Sequence, residues 1–527
     1  MRSLQNICLL ALAAVVLGLG IQAATGLTGK DEYLLGLRIP LEMIQGDHWW
    51  VPFIDGEPRL KKPPFLYWLG RASYESFGPT LLAGRGITVA FALLLLGCTG
   101  WLGKKLGGSW RSGLLAAGVL LSMAGMATES RRLMLDIPVA ALSTAAFCVY
   151  WSWLERPRWT ALLGASALLS AALLTKGPIA LVACGSGMLA LWLVYPGLGR
   201  EAVTRWSAHL FAGALALVLP LVWFFHVKSH YANLLAKITK DELEARQVAQ
   251  ISADPLIGIL TLALPWSFVA LCVLWKQRSR KDVQFLGWWL AISLLPFFFI
   301  NSFSRYLIGS LPAVALVTVL ALEQKRIAWW PRLLGSLVPL ALCGVLAALL
   351  WRWQLGGWQA LVVAMAAFLI FWWRPAATPR SLILSAAVLW MVAWGIAFPR
   401  LGVNAVAPEF VTATQGRAVV LFAGPQPALL PILQQRPLRQ TSQLTAELAK
   451  PGTLIALRAE DQHAMETQLH VLKRKARPVQ AYHALTSAGS GVRFAKEGAT
   501  RDDWQQAWDS RSPQPLMSTV QLWEVQP

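Results

Sequence analysis

Apolar runs too long and too closely spaced for any soluble core dominate this chain. Gly86–Leu102 and Leu210–Phe225 contain no charged residue, and they approach the roughly 20 residues needed to cross about 30 Å of hydrocarbon. Backbone in lipid must satisfy its own hydrogen bonds, so such runs read as helices. Composition agrees: of 527 residues, 56% are hydrophobic and 14% charged, and mean hydropathy is +0.50. Soluble domains carry about 25% charged residues. The pattern excludes a string of soluble domains and requires a polytopic α-helical membrane protein.

Thirteen spans are expected, near 7–24, 83–102, 113–127, 138–154, 160–174, 179–195, 207–226, 255–275, 284–300, 307–322, 333–350, 359–373 and 381–398. The fifth and sixth are short enough that merging or re-entrance stays open. One set of short connections carries Lys104, Lys105, Arg111, Arg156, Arg158, Arg200, Arg205, Lys276, Lys281, Lys325, Arg326 and Arg374; the opposite set carries few cations. Positive charge marks the cytoplasmic side. The N-terminus is therefore expected inside and the C-terminal region outside, in a bacterial inner (plasma) membrane. An alternative reads the first span as a cleaved signal peptide; either version leaves the next loop outside.

The net charge of +20 invites a nucleic-acid reading. The positions of these cations in short connections favour orientation instead, so no nucleic-acid partner is expected. All six cysteines fall in apolar segments without metal-ligand spacing and read as small buried hydrophobes. The 27 tryptophans, with pairs at Trp49–Trp50, Trp329–Trp330 and Trp372–Trp373, suggest interfacial aromatic belts. Two domains follow: a transmembrane catalytic unit over 1–399, with outer loops at 25–82 and 227–254, and a small α/β extracytoplasmic domain over 400–527. In the latter, Ala418–Ala423, Thr453–Leu457 and Val520–Val525 read as strands and Ala464–Lys475 as a helix.

The outer loops carry the chemistry. The first opens on Asp31-Glu32 and reaches Lys61-Lys62-Pro63-Pro64, then Tyr67. Two lysines before a proline pair form a stiff cationic corner beside lipid head groups, suited to a phosphate. Arg131-Arg132 with Asp136, then Lys176 at a tight turn, then Arg305-Tyr306 repeat the theme. Each cation taken singly reads as an interfacial snorkelling residue. Four loops with the same charge on the disfavoured face favour an anionic ligand.

Asp31-Glu32, Glu42-Met43 with Gly46-Asp47-His48-Trp49 and Pro52, and Lys62-Pro63-Pro64 with Tyr67-Trp68 resemble the first outer loop of the lipid A aminoarabinose transferases. With the protein O-mannosyltransferases, these form the polyprenyl-phosphate-sugar-dependent GT-C superfamily. Asp136 before Pro138, Thr175-Lys176-Gly177-Pro178 and Arg305-Tyr306 with Leu311-Pro312 are similar to later signatures of that superfamily, in the same order. The resemblance covers about residues 5–320. It departs after the acidic pair: the family carries Arg-Tyr, and this chain reads Tyr33-Leu34-Leu35, one residue longer.

The resemblance implies a GT-C fold and an inverting transfer of a sugar from a polyprenyl (undecaprenyl) phosphate carrier to lipid A or another envelope glycan or lipid. It implies catalytic roles for Asp31, Glu32 and Asp136. Carrier-phosphate contacts are implied for Lys61, Lys62, Arg131, Arg132, Lys176 and Arg305, and substrate contacts for Tyr67 and Tyr306. Asp31 is the matched general base; for an acceptor that is itself a phosphate it orients the acceptor or carries a metal. A divalent metal on Asp31, Glu32 and His48 and a set of solvated loop residues are equally consistent with the pattern. The expected partners are the lipid-linked donor, the acceptor and the membrane, with the protein a monomer. The alternative function is a flippase or transporter for a lipid-linked sugar. A flippase would not need an acidic pair on a structured outer loop, and no internal or inverted repeat is present.

Overall fold

In the computed structural model, the described residues are 13–23, 25, 32–246, 251–323, 327–375, 377–486 and 495–527. Asp31, Lys325, Arg326 and the beginning of the first expected span lie outside them. Every expected span from residue 83 onward contains a helix. Among the described residues, seven helices are long and apolar enough to cross a membrane: Leu81–Gly107, Asp136–Glu155, Trp159–Lys176, Trp206–Ala245, Ser304–Glu323, Trp329–Arg352 and Pro379–Leu401. The number reaches nine if two bent pairs each count as one span. The protein is a multi-pass membrane protein.

The difference from thirteen has a geometric cause. Trp110–Leu121 is 12 residues long, about 18 Å at the helical rise, and cannot cross the hydrocarbon alone. The expected sixth span stops at Val194, and the chain turns through 113° into Pro196–Thr204. The eighth breaks between Asp254–Leu262 and Ser267–Lys276 with a 110° bend. Tryptophan also differs from the interfacial expectation. Trp372 is fully buried, 5.0 Å from Trp266 and 4.9 Å from Phe368 between ring centroids. Trp266 donates its indole N–H to the Ser122 hydroxyl at 2.8 Å, which satisfies two polar groups inside the bundle.

Residues 32–80, in the loop expected outside, form an ordered layer. A π-helical turn, Tyr33–Leu37, leads directly into the helix Arg38–Gln45. The strands β1 (Phe53–Ile54) and β2 (Glu57–Pro58) form a hairpin. Asp55 and Gly56, its two turn residues, both have positive φ, the conformation a type I′ turn demands and Asp-Gly supplies. The helix Phe65–Phe77 follows the Pro63-Pro64 corner. A long helix, Trp206–Arg246, kinks at Tyr231 and packs Trp223, Val227 and Ile238 against Val51, Leu60 and Trp68 of this loop.

The C-terminal region carries a five-stranded sheet in the order β4-β3-β5-β7-β6. Its strands are β3 (Val419–Phe422), β4 (Arg439–Thr441), β5 (Leu454–Arg458), β6 (Ala476–Ala484) and β7 (Ser518–Val525). β4, β3 and β5 run parallel, and β7 pairs antiparallel with β5 and β6. Central β3 and β5 are almost wholly apolar and buried, whereas edge strand β6 is mostly exposed and holds Pro478, which only an edge tolerates. The sheet unit docks on the bundle, where Arg352 donates to the Trp508 carbonyl at 2.6 Å.

Candidate active site

The first-loop acid and the paired arginines form a buried anchor. Glu32 has no exposed surface, and each carboxylate oxygen accepts from Arg85 at 2.8 Å. One oxygen also accepts the Leu133 backbone N–H at 3.0 Å. Arg85 further donates to the carbonyls of Ile21 and Ala23 at 2.7 and 3.0 Å. Arg131 donates to the carbonyls of Val16, Leu19 and Ala127. The carbonyls of Val16, Leu19, Ile21 and Ala23 lie at and beyond the end of the helical turn over residues 13–18, where unpaired carbonyls and the negative dipole end attract cations. Arg132 is buried and paired with Glu129. Sequence reasoning passed over Arg85, although an arginine within an apolar run is itself a signal.

A second group forms an ionic cluster at the same end of the bundle. Asp136 is the first residue of helix Asp136–Glu155, and Lys176 the last of Trp159–Lys176. Each charge thereby sits at the dipole end that favours it. The two form a salt bridge although both are almost completely buried. Arg305 Nε lies 3.6 Å from the other Asp136 oxygen, and its guanidinium rests 4.3 Å from the Phe303 ring centre. Lys176 Nζ also stands 3.6 Å from the centre of the Tyr306 ring, a cation–π contact.

Lys62 approaches from the proline corner. Its Nζ is 3.4 Å from Glu242 on the outer part of Trp206–Arg246, and it is an electrostatic neighbour of Lys176. Lys61 is exposed. Lys62, Lys176 and Arg305 thus stand with Asp136 and Glu242 as one group of paired charges. Such an arrangement stabilises a phosphate that gains charge as a sugar leaves it, because the donors are fixed before the charge develops.

The structure thus brings together Lys62, Asp136, Lys176, Arg305 and Tyr306, while Glu32, Arg131 and Arg132 are engaged in the buried anchor beside them. Tyr67 is fully buried against Ile39 and Met43, and burial pushes its hydroxyl up to about 12. Among the described residues, no three of His, Cys, Asp and Glu gather as a metal site would require. His48 stacks on Phe53 at 3.8 Å, and Glu32 is taken up by Arg85.

The chain is similar to known proteins across this region. A family model described as dolichyl-phosphate-mannose-protein mannosyltransferase matches residues 33–235. An uncharacterized protein of Aquifex aeolicus is 24% identical over 298 residues, 54% of this chain and 58% of the relative. An undecaprenyl phosphate-alpha-4-amino-4-deoxy-L-arabinose arabinosyl transferase 2 of Sodalis glossinidius is 26% identical over 273 residues, 48% of each. The chain thus spans about half the length of the curated relatives it matches. The crystal structure of ArnT from Cupriavidus metallidurans bound to undecaprenyl phosphate superposes with a TM-score of 0.69 at 17% identity, covering 98% of both chains. The apo form of the same protein gives the same score. At that identity the likeness is one of fold, a helical membrane bundle carrying a small sheet domain.

Proposed function

We propose that this protein is an inverting glycosyltransferase that moves a sugar from undecaprenyl phosphate, or a related polyprenyl phosphate, to an extracytoplasmic acceptor such as lipid A. The observation that carries this reading is the Asp136–Lys176–Arg305 cluster, nearly sealed from solvent and flanked by Lys62. Ionisable groups so close to the apolar bundle are costly, and a lipid-linked phosphate is the ligand that uses them. The similarity to an undecaprenyl-phosphate-dependent transferase supports the carrier class.

In this mechanism Lys176, Arg305 and Lys62 bind the carrier phosphate. Asp136 holds Lys176 and Arg305 in position rather than taking a proton, since both its oxygens face cations. The acceptor oxygen attacks the anomeric carbon from the face opposite the phosphate. The carbon–oxygen bond to the phosphate breaks, its electron pair passes to the phosphate, and the anomeric configuration inverts. A hydroxyl acceptor gives its proton to Asp31; a phosphate acceptor arrives already ionised. Glu32 and Arg85 fix the start of the loop that carries Asp31. The junction of the two domains falls at residues 399/400, a position supported by the last apolar helix ending at Leu401 and the sheet starting at Val419. The cluster and the sheet unit face the periplasm, with the N-terminus in the cytoplasm.

Turnover and carrier affinity in nanodiscs test this assignment. Lys62→Ala lowers the transfer rate by about 3 kcal/mol, the scale of one preorganised donor at a developing charge, with a smaller effect on carrier binding. Lys62→Arg recovers only part, because a planar fork does not replace a compact ammonium. Lys281, exposed at the start of another helix, serves as control, and Lys281→Ala leaves turnover intact. Equal small effects at both lysines would reduce the outer cations to interfacial anchors.

A further inference from the structure

A crevice of about 590 Å³ separates the first outer loop from the C-terminal sheet. Leu34, Leu35, Arg38, Asp55 and Arg59 line one wall, and Gln440, Thr441 and Ser442 the other. Its size falls in the range of roughly 300–1,000 Å³ typical of small-molecule sites. The wall formed by the sheet lies at the carboxyl ends of β3 and β4: Ala423 directly follows β3, and Thr441 closes β4. Open α/β sheets bind ligands outside the carboxyl ends of their parallel strands.

The crevice is chemically a mixed donor and acceptor surface. Arg38 is neutralised by Glu42 and by Asp55, the latter at 2.6 Å. Arg59 and Gln440 add a donor and an amide to the lining. Hydroxyls of Thr441 and Ser442 add groups of either polarity. A sugar meets such a surface well, because each of its hydroxyls donates and accepts at once. The two walls are also tied together: Arg439 donates to the Asp55 carbonyl at 3.3 Å, so the crevice is a built feature of the docked domain.

We propose that this crevice is a subsite for the sugar of the acceptor, which lets the C-terminal sheet present the acceptor to the ionic cluster. This rests on the transferase reading above. The leucines at 34 and 35 meet the apolar face of the ring, and Arg59, Gln440, Thr441 and Ser442 meet its hydroxyls.

The test compares direct binding of two probes to the full-length protein in detergent. One is a water-soluble deacylated glucosamine disaccharide bisphosphate, the head group of lipid A; the other is undecaprenyl phosphate. Inorganic phosphate is the competitor. Ser442 is exposed, so Ser442→Trp fills the crevice without loading the core, and Gln440→Ala removes a polar contact without adding bulk. Both variants should weaken the disaccharide, Ser442→Trp by about tenfold or more, and leave undecaprenyl phosphate binding within about twofold. Lys62→Ala should do the reverse. Disaccharide binding that is undetectable in the wild type, unchanged in Ser442→Trp, or abolished by millimolar inorganic phosphate overturns the subsite. Undecaprenyl phosphate binding that is absent from the wild type overturns the transferase reading instead.

Discussion

Glu32 offers the sharpest separation between a scaffold role and a chemical one. Glu32→Gln keeps the side chain's shape and leaves an amide oxygen to accept the Leu133 N–H, but it removes the charge that faces Arg85. Arg85 is 2% exposed and would keep its bonds to the carbonyls of Ile21 and Ala23. Breaking a buried ion pair costs about 3–5 kcal/mol when the surviving charge is left alone. Retained carbonyl acceptors offset part of that, so about 2–3 kcal/mol of destabilisation is expected. The assay is reversible unfolding in mixed micelles with hydrogen exchange over residues 32–45. In a double-mutant cycle with Arg85→Met, the double variant should be less damaged than the sum of the singles by at least about 1.5 kcal/mol, since neither charge is then stranded. Transfer should fall in proportion to the loosening of the loop. A Glu32→Gln protein within about 0.5 kcal/mol of wild type that nonetheless loses more than about 10²-fold in transfer would refute the scaffold argument and place Glu32 among the reacting groups.

Other outcomes follow from the same geometry. Asp31→Asn should lower transfer to a hydroxyl acceptor by at least about 10²-fold while expression stays near wild type; near-full activity of the purified variant removes Asp31 from the mechanism. A methyl at Gly36 would meet the Leu133 carbonyl oxygen at 1.9 Å, so Gly36→Ala should destabilise by about 1–3 kcal/mol, read as a lower unfolding midpoint. Reporter fusions after Lys61 and at the C-terminus should score external and one after Lys281 cytoplasmic; an internal C-terminus would reverse the topology.

Much of the architecture was legible because bilayer thickness acts on sequence directly: length and apolarity alone located a helix in every expected span from residue 83 onward. What was not legible were bends and partnerships. Nothing in the hydropathy around Ala263 reveals a 110° turn, and the sheet strands β4 and β6 are polar edges with no apolar run to announce them. The site divided along the same line. Lys62, Asp136, Lys176 and Arg305 stood out as charges in short loops on the face where positive charge is disfavoured, and they converge in space. Arg131 and Arg132 stood out for the same reason, yet their partners are chain carbonyls and Glu129, a distinction that only three-dimensional placement makes. Arg85 was hidden by the assumption that a span interior serves only the membrane.

The π-helical turn at Tyr33–Leu37 changes how this loop responds to length variation. An extra residue in an α-helix rotates everything beyond it by about 100°, which would swing Arg38 and Glu42 away from Asp55. A wide turn absorbs the added residue locally, so the azimuth of the following helix is preserved. The resemblance to the aminoarabinose transferases implies one extra residue at this point, and Leu34 and Leu35, within the turn, line the crevice beside the C-terminal sheet. Residues lining the crevice are thereby uncoupled in phase from the ion pairs downstream. A side chain exchanged or added here alters the lining of the crevice without resetting the Arg38, Glu42 and Asp55 ion pairs.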